Sequence, residues 1–171
     1  MADLASRLES VLRGFAEAHG RIVARLEGAT DLEATTTPPG GGWTPAQIGA
    51  HVAGFDLLVA GIVSGDIPYA RAAAADFVER PWGEIQSTLT GPLHAPASLQ
   101  PPPTATRTDA LAALDASGTR VTAAFRGLDS SRAALTFTHA SVGTLSLVQV
   151  GEWIVAHTIR HNAQMKRALG R

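Results

Sequence analysis

The chain has 171 residues, 45% of them hydrophobic and 17% charged, with a formal net charge of -1. That size and apolar content suit one folded domain over 1–171 and exclude a disordered chain, while so small a charge sets up no field to draw in nucleic acid or an anionic membrane. There is no cysteine, so disulfides, a thiolate nucleophile and cysteine zinc sites are all excluded, and any metal must be held by imidazole, carboxylate or water.

A first helix is predicted over residues 3–27, where Leu4, Leu8, Val11, Leu12, Phe15, Ile22 and Leu26 recur at helical spacing. Its start is amphipathic and carries early acids, with no apolar h-region, so it does not read as a signal peptide and a cytoplasmic location is expected. Lys166 is the only lysine among 14 basic residues, a bias that suggests a GC-rich bacterial genome. Gly28 and the run Thr35 to Gly42 break the pattern.

The second helix has a well-marked start: Thr44 as N-cap, Pro45 at the first helical position and Gln47 closing a capping box. Ile48, His51, Val52, Phe55, Leu58, Val59 and Ile62 then share one face, until Gly65 to Pro68 ends it. The stretch Ile48 to Val63 is the most apolar of the chain, but it contains His51 and Asp56 and is short for a membrane span.

Residues 69–106 form a long connection with a short helix expected near Arg71 to Val78, then PWGEIQ and the Pro101–Pro103 run. A connection of this length suits a crossover, a lid or a binding loop. A third long helix is expected over Thr108 to Arg126, striped by Leu111, Leu114, Val121 and Phe125. The alternation Leu135-Thr136-Phe137-Thr138 in the irregular segment 127–145 is compatible with a short strand. The last helix should run from Leu147 to Leu169, with Ser146 and Gln149 as a second capping box and Val150, Trp153, Ile154, His157, His161, Met165 and Ala168 inward. Four amphipathic helices with long connections read as an all-α fold, a four-helix bundle with crossovers.

His157 and His161 stand four residues apart, on one helix face and one turn apart, where two imidazoles can chelate one ion at about 2.0–2.1 Å. The pair alone is a short motif, and HTIRH lacks the glutamate that serves as base in H-E-x-x-H metalloproteases. His51 on the apolar face of another helix adds a third ligand, and three buried imidazoles without a metal are hard to satisfy. The candidate ligand set is therefore His51, His157 and His161. His139 is a candidate to approach that site from its loop, and His19 and His94 are expected at the surface. Asp56 and Glu152 are candidates to orient a ligand histidine, against a commoner solvated fate. Trp43, Phe55 and Trp153 read as core with an aromatic substrate box as the alternative, and Arg160 as a solvated residue with an anionic substrate as the alternative.

The segments GGWTPAQIGAHVAGFD (Gly41–Asp56) and THASVGTLSLVQVGEWIVAHTIRHNAQMKRAL (Thr138–Leu169) resemble the DinB/YfiT-like superfamily. The resemblance rests on Trp43-Thr44-Pro45, His51, the His139…Gly143…Leu145-Ser146 run, His157, His161 and Gln164, while about 66–130 matches only in length and helix content. It implies an up-down-down-up bundle with a three-histidine site for zinc, nickel or iron and water or substrate in the remaining positions. Three imidazoles by themselves suit zinc, nickel, copper and iron alike.

Two functions follow as expectations. An enzyme would use the cation's charge to activate a water or a low-molecular-weight thiol. The resemblance implies thiol transfer to an electrophile or isomerisation of a thiol adduct, with a cosubstrate such as mycothiol or bacillithiol, and hydrolysis is the equal chemical alternative. The branch similar to mycothiol-dependent maleylpyruvate isomerase carries an acid in its last-helix motif, so H-x-x-x-H points to the general branch. The alternative class is a non-catalytic metal-binding or stress-related bundle. Expected partners are a small-molecule substrate and a second copy in a homodimer, with no nucleic acid and no membrane.

Overall fold

The computed structural model describes residues 3–89 and 95–171; His94 lies outside them. Helix α1 (Leu4–Glu27) begins where the Asp3 carboxylate accepts the Ser6 N–H at 2.8 Å. Its buried face is Val11, Phe15, Ala18, His19, Ile22 and Leu26, with Leu4, Leu8 and Leu12 only half buried. A five-residue helix α2 (Asp31–Thr35), absent from the sequence expectation, is nucleated by a capping box between Thr30 and Glu33.

Helix α3 (Pro45–Ser64) starts as its sequence dictates, with Thr44 Oγ1 accepting from Gln47 N and Gln47 Oε1 accepting from Thr44 N. It stops at Gly65, whose φ of 94° is left-handed and open to glycine at no steric cost. Gly65 N and Ile67 N both close onto the Gly61 carbonyl, at 3.1 and 2.9 Å, which caps the helix end. By length and composition α3 could cross a membrane, yet 72% of its apolar stretch is buried inside the fold. That surface is spent on packing against the chain's own helices.

The expected helix near Arg71 to Val78 is not formed. Strand β1 (Arg71–Ala72) stands there instead, and the helix of this connection, α4 (Trp82–Ser87), comes later, followed by a 3₁₀ turn at Ala97–Leu99. Helix α5 (Arg107–Arg126) and a short α6 (Ser130–Ala133) precede strands β2 (Leu135–His139) and β3 (Gly143–Ser146). Helix α7 (Leu147–Ala168) completes the chain. The three strands pair antiparallel in the order β1-β2-β3, with Arg71 opposite Thr136 and His139 opposite Gly143. The fold is thus mostly helical, as expected, with a small sheet added where β-branched residues alternate.

The long helices pack pairwise, α3 along α5 and α1 along α7, and contacts of α1 with α5 and of α3 with α7 join the pairs. Helix α7 approaches closely at Gly151, where an added Cβ would stand 2.7 Å from both Phe125 and Val11. Among the described residues the core has two clusters. One joins Phe15, Phe55, Val59, Phe125, Trp153 and Ile154, and the other joins Ile22, Leu26, Ile48, Val52, Leu114 and Met165. The histidines of α3 and α7 lie on the same inward faces of these helices, which is why packing brings them together.

Candidate metal centre

The α3 stripe carries His51 inward beside Val52 and Phe55, and the α7 stripe carries His157 and His161 beside Ile154 and Met165. The three are 5%, 7% and 7% exposed. Their ring centroids are 5.3 Å apart for His51–His157, 4.7 Å for His51–His161 and 4.4 Å for His157–His161. One ring nitrogen of each lies within 4.8 Å of the other two, an arrangement that could hold a metal ion.

The surrounding groups fix which nitrogens are available. His51 Nδ1 donates to the Leu99 carbonyl at 2.8 Å, and His161 Nδ1 donates to Gln164 Oε1 at 2.8 Å. A carbonyl oxygen only accepts, so the proton sits on Nδ1 in both rings and each Nε2 keeps its lone pair. His157 Nδ1 is buried with no hydrogen-bond partner. An orphaned, buried imidazole nitrogen is costly unless another group satisfies it, and neutral nitrogen donors are what a divalent transition metal accepts. The residues fit such an ion.

Electrostatics favour the same state. Burial holds His157 well below its usual pKa, helped by the charges that His161, His51 and Arg160 carry or would carry. Burial, then the neighbouring His51, pushes His161 down to about 3. Burial also lowers His51, against the Leu99 carbonyl bond. All three rings are neutral at pH 7 and present lone pairs rather than protons.

Aromatic side chains form the rest of the wall. Phe55 stacks on His157 at 3.9 Å and 24°, and Trp43 lies 4.6 Å from His51 and 6.3 Å from His161. A cavity of about 990 Å³ opens beside the histidines, with Phe55 and Trp153 in its lining. These rings are buried, as expected, and also face the cavity. Half-buried Trp43, on the approach to α3, lines it too.

His139, at the end of β2, lines this cavity as well. The Ser141 N–H donates to its Nδ1 at 3.2 Å, which leaves the ring proton on Nε2, and burial lowers its pKa.

Other readings need correction. His19 is not at the surface but buried on α1, with Nε2 3.7 Å from Asp56 Oδ2. Asp56 is fully buried on α3 and accepts from Ser117 Oγ at 3.3 Å. Burial raises Asp56 well above the usual carboxylate range and lowers His19, and 3.7 Å is beyond hydrogen-bond reach; neither belongs to the cluster of His51, His157 and His161. Glu152 turns to α1, where Arg7 Nη2 donates to it at 3.1 Å. Neither acid orients His51, His157 or His161. That task falls to the Leu99 carbonyl and Gln164. A backbone carbonyl leaves no residue-type signal in a sequence, whereas Gln164, three residues after His161, is visible as a helix-face neighbour.

A sequence profile described as the DinB superfamily matches residues 14–165. No curated protein and no solved structure matches the chain significantly.

Proposed function

The chain belongs to the DinB superfamily, and on that premise we propose that His51, His157 and His161 are the protein ligands of one divalent metal ion serving a small-molecule enzyme. The observation that carries this reading is the convergence of three buried, neutral imidazoles at one end of a cavity. Three protein ligands leave coordination positions for water or substrate, the pattern of catalytic rather than structural sites. A cation held by neutral histidines keeps its full charge and would lower the pKa of a water or a low-molecular-weight thiol brought to it.

The chain's own residues do the rest. Leu99 and Gln164 hold two of the rings in the tautomer that exposes Nε2. Phe55 and Trp43 restrict water around the rings. Having no cysteine, the protein would take any reacting thiol from a cosubstrate. Zinc, nickel and iron all suit the donor set. The same proposal reads α1, α3, α5 and α7 as an up-down-down-up four-helix bundle, supported by their mutual packing.

The test starts with metal analysis of the purified full chain and of His157→Ala. About one ion per chain is expected in the wild type and near none in the variant; unchanged metal content in the variant overturns the ligand assignment. Thiol-consumption assays with electrophiles and hydrolysis assays with esters and amides follow on the loaded protein. Metal bound without turnover would refute the enzyme and leave a non-catalytic metal-binding bundle.

A further inference from the structure

The cavity beside the three histidines is lined by a fourth, His139, which stands in the opposite tautomer. His51 and His161 spend their Nδ1 protons on Leu99 and Gln164 and keep a lone pair on Nε2. His139 instead accepts the Ser141 N–H at Nδ1, so its proton is on Nε2. A doubly protonated ring would set two donors head to head at Nδ1, and burial also lowers its pKa, so the ring is a neutral donor at pH 7. The turn that carries it is well anchored. His139 pairs with Gly143 across the β2–β3 hairpin, and between them Val142 is buried, with its carbonyl taken by the Arg80 guanidinium. Among the described residues nothing accepts from His139 Nε2. Its ring neighbours, Trp153 at 5.0 Å and Phe137 at 6.4 Å, carry no side-chain acceptor. From there the rings continue to the three-histidine end. Trp153 meets Phe55 at 4.8 Å and Phe55 stacks on His157 at 3.9 Å, and both line the cavity. Trp153 and His157 are one turn apart on α7, about 6 Å along its axis. The cavity thus has an aromatic wall with a proton donor at one end and lone pairs at the other.

We propose that His139 is the donor that selects the cavity's ligand: its Nε2–H binds the carbonyl-type oxygen of a small aromatic molecule whose ring lies against Trp153 and Phe55. The inference rests on the proposed metal-dependent function for what happens at the ligand's other end, but not for the binding itself. A ligand with an apolar group in place of that oxygen would strip water from a half-buried N–H and return no bond, which is the costly case. A neutral imidazole N–H also polarises a carbonyl without giving up its proton, so His139 would make the bound molecule more electrophilic while its own ring stays neutral. Ser141 prevents the alternative role. With Nδ1 engaged and Nε2 protonated, the ring has no free lone pair with which to remove a proton.

Two measurements on the full chain, as purified and again after chelation, test this without turnover, with metal content determined on the same samples. Two-bond proton–nitrogen spectra read the tautomer of His139 in the wild type. A protonated Nε2 and a bare Nδ1 are expected at pH 7, and an Nδ1–H ring would overturn the inference. Binding is then titrated with acetophenone and with ethylbenzene, which share a shape and differ in the carbonyl, by following the indole N–H resonance of Trp153. The ratio of the two dissociation constants should shift against acetophenone by about fivefold in His139→Phe, which keeps an aromatic ring and loses the donor. His139→Gln, whose amide donates from a similar place, should keep most of the wild-type ratio. Circular dichroism checks that both variants fold. An unchanged ratio in folded His139→Phe, or no response of Trp153 to either probe, would overturn the inference. Purified protein that holds no metal yet shows the His139-dependent ratio would overturn the metal reading and leave this one standing. Metal held by the three histidines with an unchanged ratio would do the reverse.

Discussion

Metal-free protein should lose stability as the pH falls from 7 to 5, and His161 should account for a measurable part of the loss. Its pKa is about 3 in the folded chain against an ordinary 6.5, because burial and the nearby His51 disfavour the imidazolium. Above 6.5 both states are neutral and the group contributes no pH dependence. Between 6.5 and 3 only the unfolded chain takes up the proton, so folding stability drops by about 1.4 kcal/mol per pH unit. From pH 7 to pH 5 the loss is about 2 kcal/mol, a large share of a typical stability of roughly 5–15 kcal/mol. His51 and His157 act in the same direction, and Asp56, whose pKa is raised, acts in the opposite one. The wild-type slope is therefore a sum, and the comparison that isolates His161 is with His161→Asn. Urea unfolding followed by circular dichroism, with chelator present at pH 7 and pH 5, should show the variant losing about 2 kcal/mol less than the wild type over that interval. Identical pH dependence in the two proteins would refute the placement of a neutral, buried His161.

Asp56→Asn keeps the shape of a carboxyl that is held protonated. Because the raised pKa makes the unfolded chain release its proton first, wild-type stability falls as pH rises above the ordinary carboxylate value, and the variant should be the more stable of the two at pH 8, with the gap closing toward pH 4; a constant gap in urea midpoints would count against a neutral Asp56. Gln164→Leu removes the acceptor of the His161 Nδ1–H and should weaken metal affinity by about 10–100-fold in a chelator competition while leaving the fold intact. Gly65→Ala forces a side chain into a left-handed residue and would bring its Cβ to 2.8 Å from Arg132 Nη1, so a loss of about 1–2 kcal/mol is expected from thermal unfolding. Gly151→Ala would press on Phe125 and Val11 at 2.7 Å; overpacking of about 1–3 kcal/mol should appear in the same measurement.

The four long helices were legible because local chemistry specifies them. The Thr44–Gln47 box and the Ser146 N-cap announce the two helices that carry the histidines, although the expected second box is only half formed: Ser146 Oγ accepts from Gln149 N, while the Gln149 side chain turns away to donate to the Arg80 carbonyl. The apolar stripes of these helices place His51, His157 and His161 inward. Within α7 the four-residue spacing alone puts two rings on one face. The short strands were harder to read, since β1 spans two residues and exists only by pairing with β2, where Arg71 meets Thr136 from the far side of helix α5 in the chain. His19 and Asp56 show the opposite error. Polar side chains on amphipathic helices usually face water, and only the packing of α1, α3 and α5 reveals that these two are shut inside together.

By itself the sequence determined the four long helices, the absence of thiol chemistry and the identity of three imidazoles able to share an ion. Each of these depends on residue type and on spacing within a single element. Tertiary structure alone decided that His51 meets His157 and His161, and that the Leu99 carbonyl rather than Asp56 or Glu152 orients a ring. Those facts join residues from 3 elements or more (α3, the 3₁₀ turn and α7). No local pattern encodes such a meeting, because it is set by how apolar faces far apart in the chain bury one another.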